Sequence, residues 1–449
     1  MSGLMISVSG IRGIVDESFT PDVVRRYVAA FAATRGEGPI VVGRDSRPSG
    51  PQFREVIVET LLALGRDVVE LGIVPTPTVQ LMVEQEHAAG GIALTASHNP
   101  VQWNALKFVG SNGRFLTKTE GQPMLALAEQ DAEVVAEKRG TVRQLTDAVD
   151  RHVAAVLALS LLNVTAIRSK HFVVVVDALH GAAGSIARTL LEALGCTVEV
   201  LGEEPSGNFS RPPEPLPKNI TGLCERVRAS SAVCGFALDP DGDRLALVDE
   251  HGEPLGEDLT LALASQEVTS AQPGTIVTNL STSAKVDAVA NITHSKIERT
   301  PVGEANVVEG IVTHHAVIGG EGNGGVILPQ LHLGRDAAAG MALVLALLAR
   351  THQTLSQLAG ALPTLAMAKE RVESATPPNL DAVAAVLEKI LPGATLDRRD
   401  GLRVTKNWEW VHVRPSGTEP IIRIYSEAQT QDRAAELADA ARKAIESST

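Results

Sequence analysis

Leu64-Gly65-Arg66-Asp67-Val68-Val69-Glu70-Leu71-Gly72 and Leu194-Gly195-Cys196-Thr197-Val198-Glu199-Val200-Leu201-Gly202 are two versions of one phrase, and together they decide the fold. Each has Leu-Gly, where a helix stops, then a run suited to a strand, then a second glycine. The residues before each copy complete a βαβ unit. Before the first, Ile40-Val41-Val42 reads as a buried strand, a polar loop follows, and 51–64 reads as a helix leading to a strand over 67–71. Before the second, 173–176 reads as a strand, Asp177 opens a glycine-rich turn, and 185–194 reads as a helix. Upstream, Thr20-Pro21-Asp22 is a helix cap with proline at the first turn, and Gly36 stops the run 23–34.

A weaker third copy begins at Gly274-Thr275-Ile276-Val277-Thr278-Asn279, followed by a helix and a strand over 295–300. The last stretch differs, with strands over 409–413 and 421–425 around a tight loop and an amphipathic helix over 432–445. The pattern predicts an α/β fold, with three similar mixed domains in series and a C-terminal α+β domain. The expected boundaries are 1–152, 153–252, 253–364 and 365–449. The linker is expected between Gly360 and Lys369, and Thr376-Pro377-Pro378-Asn379 is expected to be a loop inside the last domain.

Composition narrows the function. At 449 residues the chain needs several cores, and with aromatic residues at only 3% those cores must be aliphatic. A net charge of -13 argues against nucleic acid as the main partner, so an anionic ligand must be held by a local basic cluster. Three cysteines, Cys196, Cys224 and Cys234, form neither a disulfide framework nor a zinc spacing, which points to a cytoplasmic protein. No stretch approaches the ~20 apolar residues that span a membrane, since the run 343–348 is bounded by Arg335, Asp336 and Arg350, and the N-terminus does not read as a signal peptide.

Four segments carry chemistry. Asp239-Pro240-Asp241-Gly242-Asp243-Arg244 puts three carboxylates at alternate positions between two apolar runs, a donor set suited to Mg²⁺. An EF-hand is disfavoured because Arg244 stands where that loop needs glycine; a solvated acidic turn is the other reading. Thr95-Ala96-Ser97-His98-Asn99-Pro100 follows the apolar run Ile92-Ala93-Leu94, which leaves Ser97 on a turn at a strand end as either a reactive serine or part of an ordinary turn. Arg414-Pro415-Ser416-Gly417-Thr418-Glu419-Pro420, with Arg423 beyond it, offers hydroxyls, amides and an arginine fork to a tetrahedral anion, or is a plain hairpin. Gly319-Gly320-Glu321-Gly322-Asn323-Gly324-Gly325 lacks the spacing of a nucleotide loop and suits a sugar-hydroxyl clamp through Glu321 and Asn323.

In their order along the chain the four segments, with Ser9-Gly10-Ile11-Arg12-Gly13 near the start, resemble the α-D-phosphohexomutase family over nearly the whole chain. The resemblance implies four domains around a central cleft and a phosphate moved around a hexose through phosphorylated Ser97. It implies that Asp239, Asp241 and Asp243 hold Mg²⁺ with a phosphoryl oxygen on Ser97, and that Arg12, His98, Lys107 and Arg244 surround the transferring group. Glu321 and Asn323 would face the sugar, and Arg414, Ser416, Gly417, Thr418 and Arg423 would bind the phosphate that is not reacting. Lys107 is expected to be the general acid/base, with its pKa lowered by burial or neighbouring cations.

Three segments depart from the family pattern: Val8-Ser9 before Gly10, Asn-Gly-Gly in the sugar loop, and Pro301-Val302-Gly303-Glu304-Ala305-Asn306, which lacks a basic residue. Trp103-Asn104-Ala105-Leu106-Lys107-Phe108 and the Asn-Gly-Gly loop are similar to sequences of phosphoglucosamine mutases. The implied substrate is then glucosamine phosphate, with a hexose bisphosphate as intermediate and activator and a monomer or homodimer as the assembly. Phosphomannomutase or phosphoglucomutase activity, a metal-dependent sugar phosphatase and a silent sugar-phosphate binder are the alternatives.

Overall fold

Thr20 accepts a hydrogen bond from Val23 N and begins the helix Pro21–Ala33, as its cap sequence requires. The first repeat follows as the strand Ile40–Arg44, the helix Gly50–Ala63 and the strand Val68–Ile73. The second runs from Val173–Asp177 through the helix Gly184–Ala193 to Thr197–Leu201. In both, the two strands pair in parallel, which completes the βαβ unit. This computed structural model describes residues 3–130, 136–374, 376–416 and 421–447. They form two compact units, Met1–Thr260 with Asn323–Ser356, and Leu261–Gly322 with Gln357–Thr449.

The first unit holds two sheets. One has seven strands, in the order Met5–Ser7, Gly10–Ile14, Trp103–Gly110, Gly90–Leu94, Ile40–Arg44, Val68–Ile73, Val142–Gln144. Its central strands are buried on both faces: Ile40, Val42 and Val68 pack with Phe31 and Ile57, while Val41 and Val69 pack with Val79 and Met82. The other has four strands, in the order Leu245–Val248, Cys234–Leu238, Val173–Asp177, Thr197–Leu201. Cys196, Cys224 and Cys234 are all free and buried. Burial pushes the Cys196 thiol up to about 11.

The apolar run near residue 345 forms the helix Ala337–Thr351, buried almost all round and packed on the helices Ala148–Leu157, Val164–Arg168 and Gly184–Ala193. Its cap is Asp336, whose Oδ1 accepts from Ala338 N at 2.8 Å and Ala339 N at 3.2 Å. Asp336 Oδ2 lies 2.8 Å from His152 Nε2 and 3.1 Å from His332 Nε2. The carboxylate thus meets four donor groups and has no oxygen left over for a cation, so this His-Asp-His cluster serves the helix cap. Among the described residues, no helix is long and apolar enough to cross a membrane.

In the second unit, Lys296–Thr300, Thr275–Asn279 and Ile318–Glu321 lie parallel and side by side, so the third repeat is present. The C-terminal sheet is antiparallel, in the order Ala366–Glu373, Ile421–Ala428, Glu409–Pro415, Leu402–Lys406, Thr395–Asp397. Val411, Val413, Ile422 and Ile424 face the helices Leu380–Ile390 and Gln431–Glu446. The opposite face carries Trp410, His412 and Arg414. The expected linker is shorter than the sequence suggested: Lys369 sits inside the strand Ala366–Glu373, paired with Tyr425. Its alternating apolar and charged residues fit a half-exposed strand as well as they fit a linker. Asn379 ends the expected loop by capping Leu380–Ile390.

The cap at Asp336 generates a stability prediction. Asp336→Ala should cost about 3 kcal/mol or more, the sum of a lost cap and buried imidazoles left without an acceptor. The measurement is urea unfolding followed by circular dichroism; a loss below about 1 kcal/mol contradicts this account.

Candidate active site

The strand Gly90–Leu94 stops where Thr95 turns the chain. Thr95 Oγ1 accepts from Ser97 N at 3.0 Å and donates to Asp45 Oδ2 at 2.7 Å. Ser97 itself has φ +48°, a left-handed conformation that is costly for a residue with a side chain. Arg47 holds it there. This fully buried guanidinium pairs with Asp45 at 2.9 Å and donates to the carbonyls of Ser97 (2.6 Å), Asn99 (2.7 Å), Pro100 (2.6 Å) and Trp103 (3.0 Å). Nothing in the sequence marks Asp45 or Arg47, which fall in the polar loop between Val42 and the helix that follows.

The acidic segment connects the antiparallel strands Cys234–Leu238 and Leu245–Val248, so its three aspartates share one hairpin loop. Their carboxylates converge, with one oxygen from each lying within 4.8 Å of the others. Ser97 Oγ donates to Asp239 Oδ2 at 2.9 Å, which brings the serine loop and the acidic loop together. Asp239 Oδ1 accepts from the backbone N–H groups of Asp243 and Arg244, both at 3.1 Å. Asp241 Oδ2 accepts from Thr76 Oγ1 and from Lys107 Nζ, each at 2.6 Å. Asp243 Oδ2 accepts from Arg335 Nη2 at 2.6 Å and Lys107 Nζ at 3.3 Å.

These partners leave a defined remainder. Asp241 Oδ1 and Asp243 Oδ1 are buried without a hydrogen bond. Burial, together with the charges of Asp243 and Asp241, pushes the Asp239 carboxyl well above the usual carboxylate range. At Asp243 burial also pushes upward, but Arg335, Lys107 and Arg244 outweigh it and hold that group below the range. Orphaned carboxylate oxygens beside a carboxyl driven toward its neutral form fit a hard divalent cation.

Lys107 and Arg12 come from paired strands. Gly10–Ile14 pairs antiparallel with Trp103–Gly110, and Gly10 opposite Lys107 with Arg12 opposite Ala105 puts both cations on one face. Arg12 donates to Asn99 Oδ1 at 2.6 Å. Arg244 pairs with Glu214 at 3.2 Å. For Lys107 the outcome differs from the sequence expectation. Burial lowers its pKa, but Asp241 and Asp243 outweigh that effect and keep the ammonium above the usual lysine range. His98 has a buried Nδ1 without a partner, and burial with Arg244 and Arg12 nearby holds its pKa well below the usual range. It is therefore a neutral imidazole.

Asn323 belongs to the first unit, where its Oδ1 accepts from Gly325 N at 3.2 Å. The two glycines after it answer to the acidic hairpin. Gly324 (φ +85°) lies so close that a Cβ would come within 2.4 Å of Leu245 O, and at Gly325 a Cβ would meet Arg335 Cδ at 2.2 Å. The second glycine of the Asn-Gly-Gly departure, Gly325, thus makes room for the arginine that reaches Asp243. Arg335 and Thr76 are further residues that the sequence did not reveal.

The second unit holds the other predicted residues. Glu321 ends the strand Ile318–Glu321, and its Oε1 accepts from Asn279 Nδ2 at 2.9 Å and Gly303 N at 3.2 Å. Arg414 donates through Nε to Asp400 Oδ2 at 3.0 Å, and the same oxygen accepts from Val302 N at 2.9 Å. Arg414 stands opposite Arg423 on the neighbouring strand, and Arg423 stands opposite Arg371 on the next. Three arginines therefore lie abreast on one face, and Arg371 is a member the sequence did not point out. Ser416 donates its N–H to Ile421 O at 2.8 Å. Gly417 and Thr418 lie outside the described residues.

With this geometry in view, comparison with known proteins is informative. Four family profiles match in order: phosphoglucomutase/phosphomannomutase α/β/α domain I at residues 4–134, domain II at 150–252, domain III at 256–365, and the C-terminal domain at 367–444. A phosphoglucomutase/phosphomannomutase of Thermococcus kodakarensis is 35% identical over 99% of both chains. A probable phosphoglucosamine mutase of Methanopyrus kandleri is 35% identical over 97% of this chain and 96% of its own. A phosphoglucomutase/phosphomannomutase family protein of Burkholderia thailandensis superposes with TM-score 0.84 at 27% identity, covering 99% of this chain and 98% of the other.

The molecule is thus an enzyme of the isomerase class, an intramolecular phosphotransferase. The chain belongs to the phosphoglucomutase/phosphomannomutase family, the α-D-phosphohexomutases, and within it is similar to the phosphoglucosamine mutases.

Two outcomes follow from these contacts. Arg47→Lys cannot reproduce the fork over four carbonyls, so turnover should fall at least about tenfold, as expected when buried charge-assisted hydrogen bonds are lost. Steady-state kinetics checks this, and an unchanged kcat contradicts it. The second concerns His412, whose Nε2 lies 2.7 Å from Asp400 O and whose Nδ1 lies 2.8 Å from Ser281 Oγ. Burial first, then Arg403 and Arg414, hold its pKa down at about 4 against an ordinary 6.5. The unfolded chain takes up this proton first, so the stability linked to His412 is complete above pH 6.5 and is lost as the pH falls through 4. His412→Gln should flatten this part of the stability–pH curve, measured by urea midpoints at successive pH values.

Proposed function

We propose that the enzyme interconverts glucosamine 6-phosphate and glucosamine 1-phosphate through phosphorylated Ser97 and a bisphosphorylated sugar. The observation that carries this reading is the 2.9 Å contact between Ser97 Oγ and the carboxylate triad, because a phosphoryl group on that oxygen would sit beside the orphaned oxygens of Asp241 and Asp243. Glucosamine is favoured by relatives named as probable phosphoglucosamine mutases. A second reading, mannose or glucose phosphate, is favoured by the 35%-identical Thermococcus kodakarensis relative. Four domains, 1–152, 153–252, 253–364 and 365–449, accompany either reading.

Asp239, Asp241 and Asp243 would hold Mg²⁺, which when bound supplies charge stabilisation to the phosphoryl oxygens. The chain's own residues supply the rest. In the first transfer a sugar hydroxyl oxygen bonds to phosphorus as the Oγ–P bond of Ser97 breaks. The hydroxyl loses its proton and Oγ becomes available to accept one. Lys107 is the candidate general acid/base: as an ammonium it can give a proton to Oγ and recover one from the sugar hydroxyl, with neutral His98 beside the transferring group. Arg12 and Arg244 complete the positive surroundings that such a transfer needs more than it needs covalent chemistry. The second transfer reverses these roles with the other phosphate of the bisphosphorylated sugar. Glu321 and Asn323 would address sugar hydroxyls, and Arg414, Ser416, Gly417, Thr418 and Arg423 the phosphate at rest. A hexose bisphosphate would prime Ser97.

Ser97→Ala or Asp241→Asn should reduce turnover by about a thousandfold or more while leaving the fold intact, the scale expected for removing a nucleophile or a charge-stabilising group. Near-normal rates in either variant would sink the mechanism. The sugar is decided by comparing kcat/KM for glucosamine, mannose and glucose phosphates with a bisphosphate activator and Mg²⁺. Glucosamine phosphate should lead, and release of inorganic phosphate in place of an isomerised sugar would make the protein a phosphatase.

A further inference from the structure

Arg403, on the strand Leu402–Lys406, is 6% exposed, and among the described residues its side chain has neither a hydrogen bond nor an ion pair. Its guanidinium stacks over Trp410 at 4.8 Å, and its Nε is buried without a partner. The carboxylates that act on it electrostatically have other donors. Asp287 is 2.5 Å from Arg299 Nη2, and Asp397 is 2.5 Å from Arg399 Nη2. Glu427 accepts from Trp410 Nε1 at 2.7 Å, from Ala284 N at 2.7 Å, and from Ser283 Oγ. Arg299 repels it as well. A buried cation whose nearby carboxylates are all engaged elsewhere is costly unless an anion or water meets it.

Arg403 lines a cavity within the second unit, between the helix Lys285–Ile292 and the strands Leu402–Lys406 and Glu409–Pro415. Trp408 forms part of its wall, and the carboxamide residues Asn291 and Asn407 lie in its lining. The lining carboxylates are also taken, Asp287 by Arg299 and Glu409 by Arg433 at 3.1 Å. No lining carboxylate forms an ion pair with Arg403, and Lys406 lies in the same lining. Neither Arg414 nor Arg423 lines this cavity.

We propose that this cavity is a second anion site, taking one small oxyanion of the phosphate or sulfate class on the fork of Arg403. It goes beyond the mutase reading and does not depend on it. The ligand would join the helix Lys285–Ile292 to the C-terminal sheet, on the sheet face that also carries Arg414.

Tryptophan emission tests the proposal locally, because Trp408 and Trp410 flank the cavity and Trp103 is the only other indole. In a Trp103→Phe background, titration with sodium sulfate at constant ionic strength should give a saturable change in emission. Arg403→Met should weaken the apparent affinity about tenfold or more, as expected for losing a charge-assisted bidentate contact. Arg414→Ala should leave the titration within twofold, which separates this site from the candidate substrate cradle. If Arg403→Met does not fold, Arg403→Lys carries the test, with affinity weakened several-fold because the fork is lost. An equal response to sodium chloride, a titration unaffected at Arg403, or one abolished by Arg414→Ala overturns the proposal.

Discussion

Three carboxylates buried within one hairpin loop are the constraint on which the first unit depends. Asp239, Asp241 and Asp243 are each no more than 1% exposed, and carboxylates brought this close together out of water repel one another and lose their hydration. Lys107 and Arg335 answer two of them, while Asp239 meets only the uncharged donors Ser97 Oγ and two backbone amides. Much of the surrounding sequence serves these contacts. Gly325 allows the approach of Arg335, Thr76 fixes one oxygen of Asp241, and the pairing of Gly10–Ile14 with Trp103–Gly110 brings Arg12 and Lys107 to one sheet face.

The serine loop shows a different economy. Its left-handed Ser97 and its inward-facing carbonyls could not persist on local preferences alone, because a strained residue needs surroundings that over-determine it. Arg47 supplies them from a distant part of the chain, with Asp45 neutralising its charge and also receiving the hydroxyl of Thr95. One ion pair therefore holds both the backbone and the hydroxyl ladder under Ser97. The same pair explains how a loop of small polar residues keeps its shape beside an acidic site.

The fold was largely legible because βαβ units announce themselves by period: strands over 40–42, 173–176 and 275–279 and the helices over 51–64 and 185–194 all lie within a few residues of their observed ends. What escaped was structure with a mixed pattern. The strand Ala366–Glu373 alternates apolar and charged residues and reads equally well as a linker, and the edge strands Met5–Ser7 and Val142–Gln144 are only three residues long. At the site, the residues with chemistry of their own stood in compact motifs. Asp45, Arg47, Thr76 and Arg335 did not, because they act through contacts of long sequence separation, such as the 92 residues between Asp243 and Arg335. Lys107 failed in sign for a related reason. Its burial could be guessed, but its place between two aspartates is a tertiary fact.

The C-terminal sheet extends the same reasoning to cations. Its two faces divide cleanly, with Val411, Val413, Ile422 and Ile424 in the core and Trp410, His412 and Arg414 on the other side. On that second face Arg414, Arg423 and Arg371 stand directly opposite one another across three strands, where like charges ordinarily destabilise a sheet. Asp400 receives only the Nε of Arg414 and leaves the end of the fork to other ligands. Three guanidiniums abreast on one sheet face are well suited to an anion. The acidic hairpin of the first unit, where two buried carboxylate oxygens have no hydrogen bond, carries the opposite charge and is suited to a cation. The proposed phosphate chemistry calls for both kinds of charge, and the chain carries one set on a hairpin loop and the other on adjacent strands.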